Sequence, residues 1–275
     1  MSNNSSVTPL MSLVCFAFGT ARVGLGEELS GKALMHLLGD LGLSASASRS
    51  VLLRMRRQGL LHSTPVGREA RYRLDPSVEA AQVRLGRQLG GTRSAWDGTF
   101  KGILYEVPEE HRDFRDLLRR SANLLGYVIL RPGLVIATTD RRRELMTHLP
   151  VAPEGVQILW TDLTFSEEDS QRIAAELWDL EAIASYYRAA AQTARKHLAS
   201  VDKAQLDGQS AFREFAAVAL PLYETAAADP DLPAELLPAD WPGREVGAAI
   251  GEAIQTFWPI MEGYIDGVTR RAGGG

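Results

Sequence analysis

Hydrophobic positions along the chain change their period several times, and each change marks a new element. Residues 1–9 are polar and predict a disordered start. Leu10 to Phe18, LMSLVCFAF, is an apolar run interrupted only by Ser12 that predicts a buried helix reaching about Thr20. A second helix spans Lys32 to Leu41, and Gly42 sits where a left-handed residue ends it. Ser44 is placed to cap a third. On a helical wheel, Ala45, Val51, Leu52 and Met55 of that helix share one face around the small Ser48. Ser46, Arg49, Ser50, Leu53, Arg54 and Arg57 occupy the other face. Gly59 stops the helix, and LLHSTPVGREARYRL then reads as strand, tight turn at Val66-Gly67-Arg68, strand. Three helices followed by a two-stranded wing predict a winged helix-turn-helix over residues 10–75.

Residues 76–95 read as a linker helix carrying Val78, Val83, Leu85 and Leu89, closed by LGGTRSAW. A different pattern occupies residues 96–165. TFKGILYEV predicts a strand. PEEHRDFRDLLRRSANLLG predicts a helix with Pro108 at its first position and Phe114, Leu117, Leu118, Leu124 and Leu125 inward. A hairpin (YVIL and LVIAT), a second helix (DRRRELMTHL) and a fourth strand (GVQILWTDLTF) follow. The order βαββαβ predicts a ferredoxin-like domain. Residues 166–270 predict a helical C-terminal domain. Its first stripe is Ile173, Leu177, Leu180, Ala184 and Tyr187, which also offers a candidate contact to a second copy. Phe212, Phe215, Ala219 and Leu222 mark the next helix, with a kink expected at Pro221. DPDLPAELLPADWPG then leads to a last helix with Val246, Ile250, Ile254, Phe257 and Met261. The fold class is α+β.

Composition narrows the setting. With 275 residues, 45% hydrophobic and 23% charged, the chain reads as an ordinary globular protein of more than one domain. No apolar run approaches the roughly 18 residues of a membrane span. The single Cys15 allows no internal disulfide, and a cytoplasmic protein is expected.

Charge changes the picture more. Between Arg49 and Arg73 seven arginines face one acid, Glu69, a formal +6 in a chain whose net charge is −4. The DNA major groove admits one helix, and the planar guanidinium fork bonds phosphate or guanine edges with two hydrogens. The candidate DNA contacts are therefore Ser46, Arg49, Ser50, Arg54 and Arg57 on the helix, with Arg68, Arg71 and Arg73 on the wing. The alternative is a solvated basic face whose arginines pair with acids elsewhere in this acidic chain.

Other chemistry is sparse. Gly24-Leu25-Gly26 lacks the third glycine of a dinucleotide fingerprint, and neither a phosphate-binding loop nor a GxSxG elbow occurs. The five histidines have no metal-ligand spacing. No catalytic residue, metal or cofactor is expected. Arg141, Arg142 and Arg143 crowd a helix start, where the helix dipole disfavours cations, so a phosphate-bearing ligand or acidic partner is a hypothesis there.

Taken together, LGDLGLSASASRSVLLRMRRQGLL, VGREARYRL, WDGTFKGILYEVPEEHRDFRDLLRRSANLLGYVILRPGLVI, LWDLEAIASYYRAA and DPDLPAELLPADWPG resemble the PaaX family of bacterial transcriptional repressors. The resemblance runs over about residues 10–265, and the DPxLPxxLLPxDWPG signature is its most specific part. The chain departs from the family pattern at Phe18-Gly19-Thr20-Ala21 and at Leu60. The resemblance implies a homodimer that binds a double-stranded operator, represses phenylacetate catabolism and releases DNA on binding phenylacetyl-CoA. An aryl- or acyl-CoA thioester needs cations for its phosphates and an aromatic pocket for its acyl group. The candidates are Arg119, Arg120, Arg141, Arg142 and Arg143 with Trp178, Tyr186 and Tyr187, between the central and C-terminal domains. A metal-dependent nuclease is the alternative that the resemblance leaves open, with Glu106, Glu109 and Glu110 as its nearest carboxylates.

Overall fold

A computed structural model describes residues 9–21, 27–67, 69–93, 95–227 and 229–271. The chain is α+β, with helices predominating over two small antiparallel sheets. It divides into two compact units, each assembled from separate stretches.

The first unit is Met1–Thr92, Ala184–Ala228 and Pro242–Gly275. The apolar run folds as helix α1 (Pro9–Thr20), in which Val14 to Phe18 are all buried. Helix α2 (Gly31–Asp40) is capped by Ser30, whose hydroxyl accepts the amide of Ala33 at 3.1 Å. Gly42, at φ 89°, takes the left-handed conformation that lets the chain turn at once into helix α3 (Ala45–Arg57). Ser44 caps α3 by accepting the amide of Ala47 at 3.2 Å. Strands β2 (Leu61–Val66) and β3 (Glu69–Leu74) pair from Leu61↔Leu74 to Val66↔Glu69. A two-residue strand β1 (Leu29–Ser30), too short to show any period, adds to the far side of β3 and gives the order β1-β3-β2. Helix α4 (Pro76–Leu89) follows, and α8 (Leu180–Ser200), α9 (Gly208–Ala227) and α10 (Gly243–Arg271) supply the remaining long helices. Helix α9 runs through Pro221 without interruption. Phe16 stacks on Phe212 and Phe215 of α9, with ring centroids 6.3 and 5.7 Å apart, so α1 packs on α9 as well as on α2 and α3.

The second unit is Arg93–Ile183 and Asp229–Trp241. Its sheet contains β4 (Phe100–Glu106), β5 (Val128–Arg131), β6 (Leu134–Ala137) and β7 (Gln157–Leu163) in the order β5-β6-β4-β7, antiparallel throughout. Helices α5 (Arg112–Leu124) and α6 (Arg142–His148) bury Phe114, Leu118, Ala122 and Leu145 against Ile103, Tyr105, Val135 and Ala137. The side chain of Leu124, expected inward, lies outside the described residues. On the opposite face, Phe100 and Ile136 pack with Ile173 and Ala174 of α7 (Glu167–Leu177) and with Leu180, Leu232 and Leu236.

The stripe from Ile173 to Tyr187 is not one helical face. The chain is extended at Trp178 (φ −118°, ψ 130°), which ends α7 before α8 begins. Ile173 and Leu180 belong to the second unit, Ala184 and Tyr187 to the first, and all four are buried. Apolar surface already covered by its own chain is not offered to a second copy.

The motif DPDLPAELLPADWPG closes on Arg93. Both terminal nitrogens of that guanidinium hold the Asp229 carboxylate, at 2.8 and 2.7 Å, Asp231 lies 3.8 Å away, and the cation stands 5.7 Å from the Trp241 ring centroid. Asp231 adopts φ 56°, which turns its amide onto Asp229 at 2.7 Å. The Asp229 side chain has no exposed surface. Removing one partner of such a pair leaves a buried charge without its counterion, so Arg93→Ala should cost about 3–5 kcal/mol of unfolding free energy. Urea unfolding measures it, and a loss below about 1 kcal/mol, the level of an exposed pair, would contradict this role for the clasp.

Candidate nucleic-acid interface

Helix α3 is amphipathic because its apolar residues recur at helical spacing, and the structure buries Ser48, Val51, Leu52 and Met55. Ala45, expected on that face, is exposed and lines the cleft described below. Ser46, Arg49, Ser50, Leu53 and Arg57 are all exposed. Arg54 is half-buried on one flank, and its Nε and one terminal nitrogen are shut from solvent without a partner among the described residues. Arg56, which the wheel assigned to neither face, is exposed on the other flank beside Arg49. The unbroken run Arg54-Met55-Arg56-Arg57 was the signal for it.

A cleft of about 730 Å³ opens between α2, α3 and β3. Lys32 and His36 of α2, Arg49, Leu53 and Arg56 of α3, and Tyr72 of β3 line it. Lys32 is ion-paired with Glu69, the one acid of the arginine-rich stretch. Among the described residues, Arg49, Arg56, Arg57, Arg71 and Arg73 make no ion pair. Arg71 and Arg73 are half-buried on β3, opposite Thr64 and His62 of β2. Arg68 lies outside the described residues. The arrangement is a concave, cationic surface with uncommitted guanidinium groups, the electrostatic complement of a phosphate backbone.

The base of this hairpin is tied to α4. Asp75, the N-cap of α4, accepts the Ser77 amide at 3.0 Å and its hydroxyl at 2.6 Å, while its second oxygen meets His62 Nε2 at 2.9 Å. The Ser77 hydroxyl, and then His62, hold the carboxyl down to about 2.

The second unit holds the other cationic candidates. Arg119 and Arg120 on α5 and Arg143 on α6 are exposed and make no ion pair among the described residues. Arg142 is committed to Asp162, to the Thr161 carbonyl at 2.9 Å and to Asp140 at 3.6 Å, and Arg141 lies 4.0 Å from Glu144. Trp178 packs against the core formed by Phe100 and Ile173. Tyr186 is 68% exposed and Tyr187 is buried, both in the first unit. Glu109 is bound to Arg115 at 2.9 Å, and Glu106 ends β4 opposite Gln157. Among the described residues no three His, Cys, Asp or Glu side chains gather in a way that could hold a metal ion. No helix among them is long and apolar enough to cross a membrane.

Three consecutive stretches match one family: PaaX-like protein over residues 10–78, the PaaX protein central Cas2-like domain over 93–173, and the PaaX-like protein C-terminal domain over 178–266. The chain belongs to the PaaX family. It is 25% identical over 243 residues to the transcriptional repressor PaaX of Escherichia coli K12, covering 85% of this chain and 75% of that protein. Its fold resembles that of an uncharacterized protein of Mycobacterium tuberculosis, with a TM-score of 0.51, 24% identity, and 94% and 97% of the two chains covered. The first PaaX segment, 10–78, contains all of α2, α3 and the β2–β3 hairpin. The arginine face and the cleft therefore lie within the PaaX-like N-terminal part.

Two outcomes test this architecture. The Ser48 hydroxyl is buried with no hydrogen-bond partner among the described residues, at the centre of the inner face of α3. Ser48→Ala should raise stability by about 1 kcal/mol in urea unfolding, and a decrease would show that the hydroxyl is paired. Asp75→Ala should cost about 1 kcal/mol at neutral pH by removing a helix cap. The folded state disfavours protonation of Asp75, so its contribution is complete above the ordinary carboxylate value of about 4. It fades as pH falls through about 2. The gap between wild type and variant should close over that interval, and a pH-independent gap would contradict the assignment.

Proposed function

We propose that this PaaX-family member is a sequence-specific DNA-binding transcriptional repressor, not an enzyme, which acts in the cytoplasm. The observation that carries the reading is the state of the arginines on α3. In a chain of net charge −4, Arg49, Arg56 and Arg57 stand exposed with no acidic partner among the described residues. Clustered on one helix and free of such partners, these side chains are available to an external polyanion. The Escherichia coli relative, a transcriptional repressor, supports the same reading.

In this reading residues 10–75 are a winged helix-turn-helix, residues 76–95 a linker helix, residues 96–165 a ferredoxin-like domain and residues 166–270 the helical C-terminal part. The β5-β6-β4-β7 order supports the ferredoxin-like assignment. Helix α3 enters the major groove and reads bases with Ser46, Arg49, Ser50 and Arg57, with Arg54 on its flank. The wing places Arg68, Arg71 and Arg73 on phosphates. One such module contacts too few base pairs to select a site in a genome, so a homodimer on a near-palindromic duplex is part of the proposal. The effector is an aryl- or acyl-CoA thioester such as phenylacetyl-CoA, and Arg119, Arg120 and Arg143, exposed and unpaired among the described residues, are its best-supported phosphate contacts. A ligand that prefers the conformation with a poor fit to DNA weakens binding by that preference. The nuclease alternative loses ground because Glu109 is engaged by Arg115.

The test is binding of the full chain to duplexes selected from a random pool. Arg49→Ala and Arg57→Ala should each weaken the selected duplex by about 1–3 kcal/mol if they read bases, whereas removing a side chain that binds only phosphate should lower the salt slope by about 1. The duplex should remain full-length in magnesium or manganese. Unchanged affinity in both variants, or shortened DNA, would refute the assignment.

A further inference from the structure

Helix α2 does more than support α3. His36, whose side chain is 53% exposed, lines the cleft, and its Nε2 lies 2.9 Å from the hydroxyl of Tyr264 on α10. That hydroxyl donates its one proton to Asp40. The Asp40 side chain is only 5% exposed, accepts from Gln209 Nε2 at 2.6 Å, and lies 3.5 Å from a terminal nitrogen of Arg213. The packing leaves little play, because a Cβ on Gly208, the first residue of α9, would stand 2.6 Å from the Cβ of Tyr264.

Proton accounting then fixes the imidazole. Burial, and next the contact with Asp40, push the Tyr264 hydroxyl well above its ordinary range, so it stays protonated. With that proton committed to Asp40, the phenol oxygen offers only lone pairs, and His36 must donate to it from Nε2. A neutral His36 therefore carries no hydrogen on Nδ1, and among the described residues nothing bonds that atom.

We propose that His36 is a proton-dependent phosphate contact of the nucleic-acid interface, with Tyr264 and Asp40 as its positioning residues. The proposal rests on the reading of the cleft as that interface. Neutral His36, a residue of the cleft lining, keeps a bare lone pair on Nδ1, which a phosphate oxygen avoids. Protonated, it offers an Nδ1–H and a charge beside Lys32, Arg49 and Arg56. The charged and titratable groups around it are Lys32 and Asp40 on α2, Arg49 and Arg56 on α3, Glu69 on β3, Arg213 on α9 and Tyr264 on α10. A phosphodiester seated in the cleft favours the charged imidazole over the neutral one. Binding therefore takes up a proton, and affinity falls as pH rises through the histidine range.

The experiment measures dissociation constants of the full chain for its selected duplex between about pH 5.5 and about pH 8 at constant ionic strength. Wild-type affinity should fall by up to about tenfold per pH unit for each protomer's His36 on the duplex, the limit for one proton each. His36→Gln, which can still donate to Tyr264 but cannot titrate, should be flatter by that proton and should meet the wild type at high pH. Equal slopes overturn the proposal. Long-range proton–nitrogen NMR should show His36 as the Nε2–H tautomer in wild type and as a mixture in Tyr264→Phe, whose pH-linked affinity should shrink severalfold. An unchanged tautomer and slope in Tyr264→Phe would overturn the positioning role. A wild type that selects no duplex at any pH refutes the interface reading, and this proposal with it.

Discussion

A helix that is apolar on every side has no place at a surface, and α1 is such a helix. Its residues from Val14 to Phe18 are all buried, so it needs neighbours all round. The helices that follow it in sequence cover only part of it. Phe212 and Phe215 of α9 supply another part by stacking on Phe16, although they lie nearly two hundred residues further along the chain. The arginine-bearing helix is thus held by a core whose components come from both ends of the polypeptide. The same requirement brings α9 and α10 close enough to α2 for Asp40 to be buried among Gln209, Arg213 and Tyr264.

How much of this was legible in the sequence depends on the range of the interaction. Caps and stops are local chemistry, so Ser44, Gly42 and Gly59 marked the ends of α2 and α3 correctly. Alternation and turn residues located the strands of both sheets, except β1, whose two residues cannot display a period. Spacing alone failed where a helix breaks without proline or glycine. Trp178 is extended at the break, and the signal there is Asp179, a helix cap whose carboxylate accepts the Ala182 amide. Long-range pairs were invisible: Arg93 read as an ordinary linker residue, and only the fold shows that Asp229, Asp231 and Trp241 converge on it.

The interface shows the same division. The amphipathic wheel separated the buried Val51, Leu52 and Met55 from the exposed Arg49 and Arg57. It misjudged Ala45, which faces the open cleft, and it passed over Arg56, which sits between the two faces. Whether the arginines had acidic partners is a question about distance, not composition, and only the fold answers it. His36 was one of five scattered histidines until α10 placed a phenol beside it.

The shared core also orders events in time. The ribosome delivers α1 before the β4–β7 sheet, and α9 and α10 after it. Domains generally fold as units during synthesis, so the intervening sheet can close while α1 still lacks Phe212 and Phe215. Until those arrive, the N-terminal segment carries an apolar helix with uncovered surface, the kind of exposure that chaperones recognise. Contacts between such distant residues also raise contact order and slow folding. A chain that stops before α9 would lack Phe212 and Phe215 and leave that side of Phe16 open permanently.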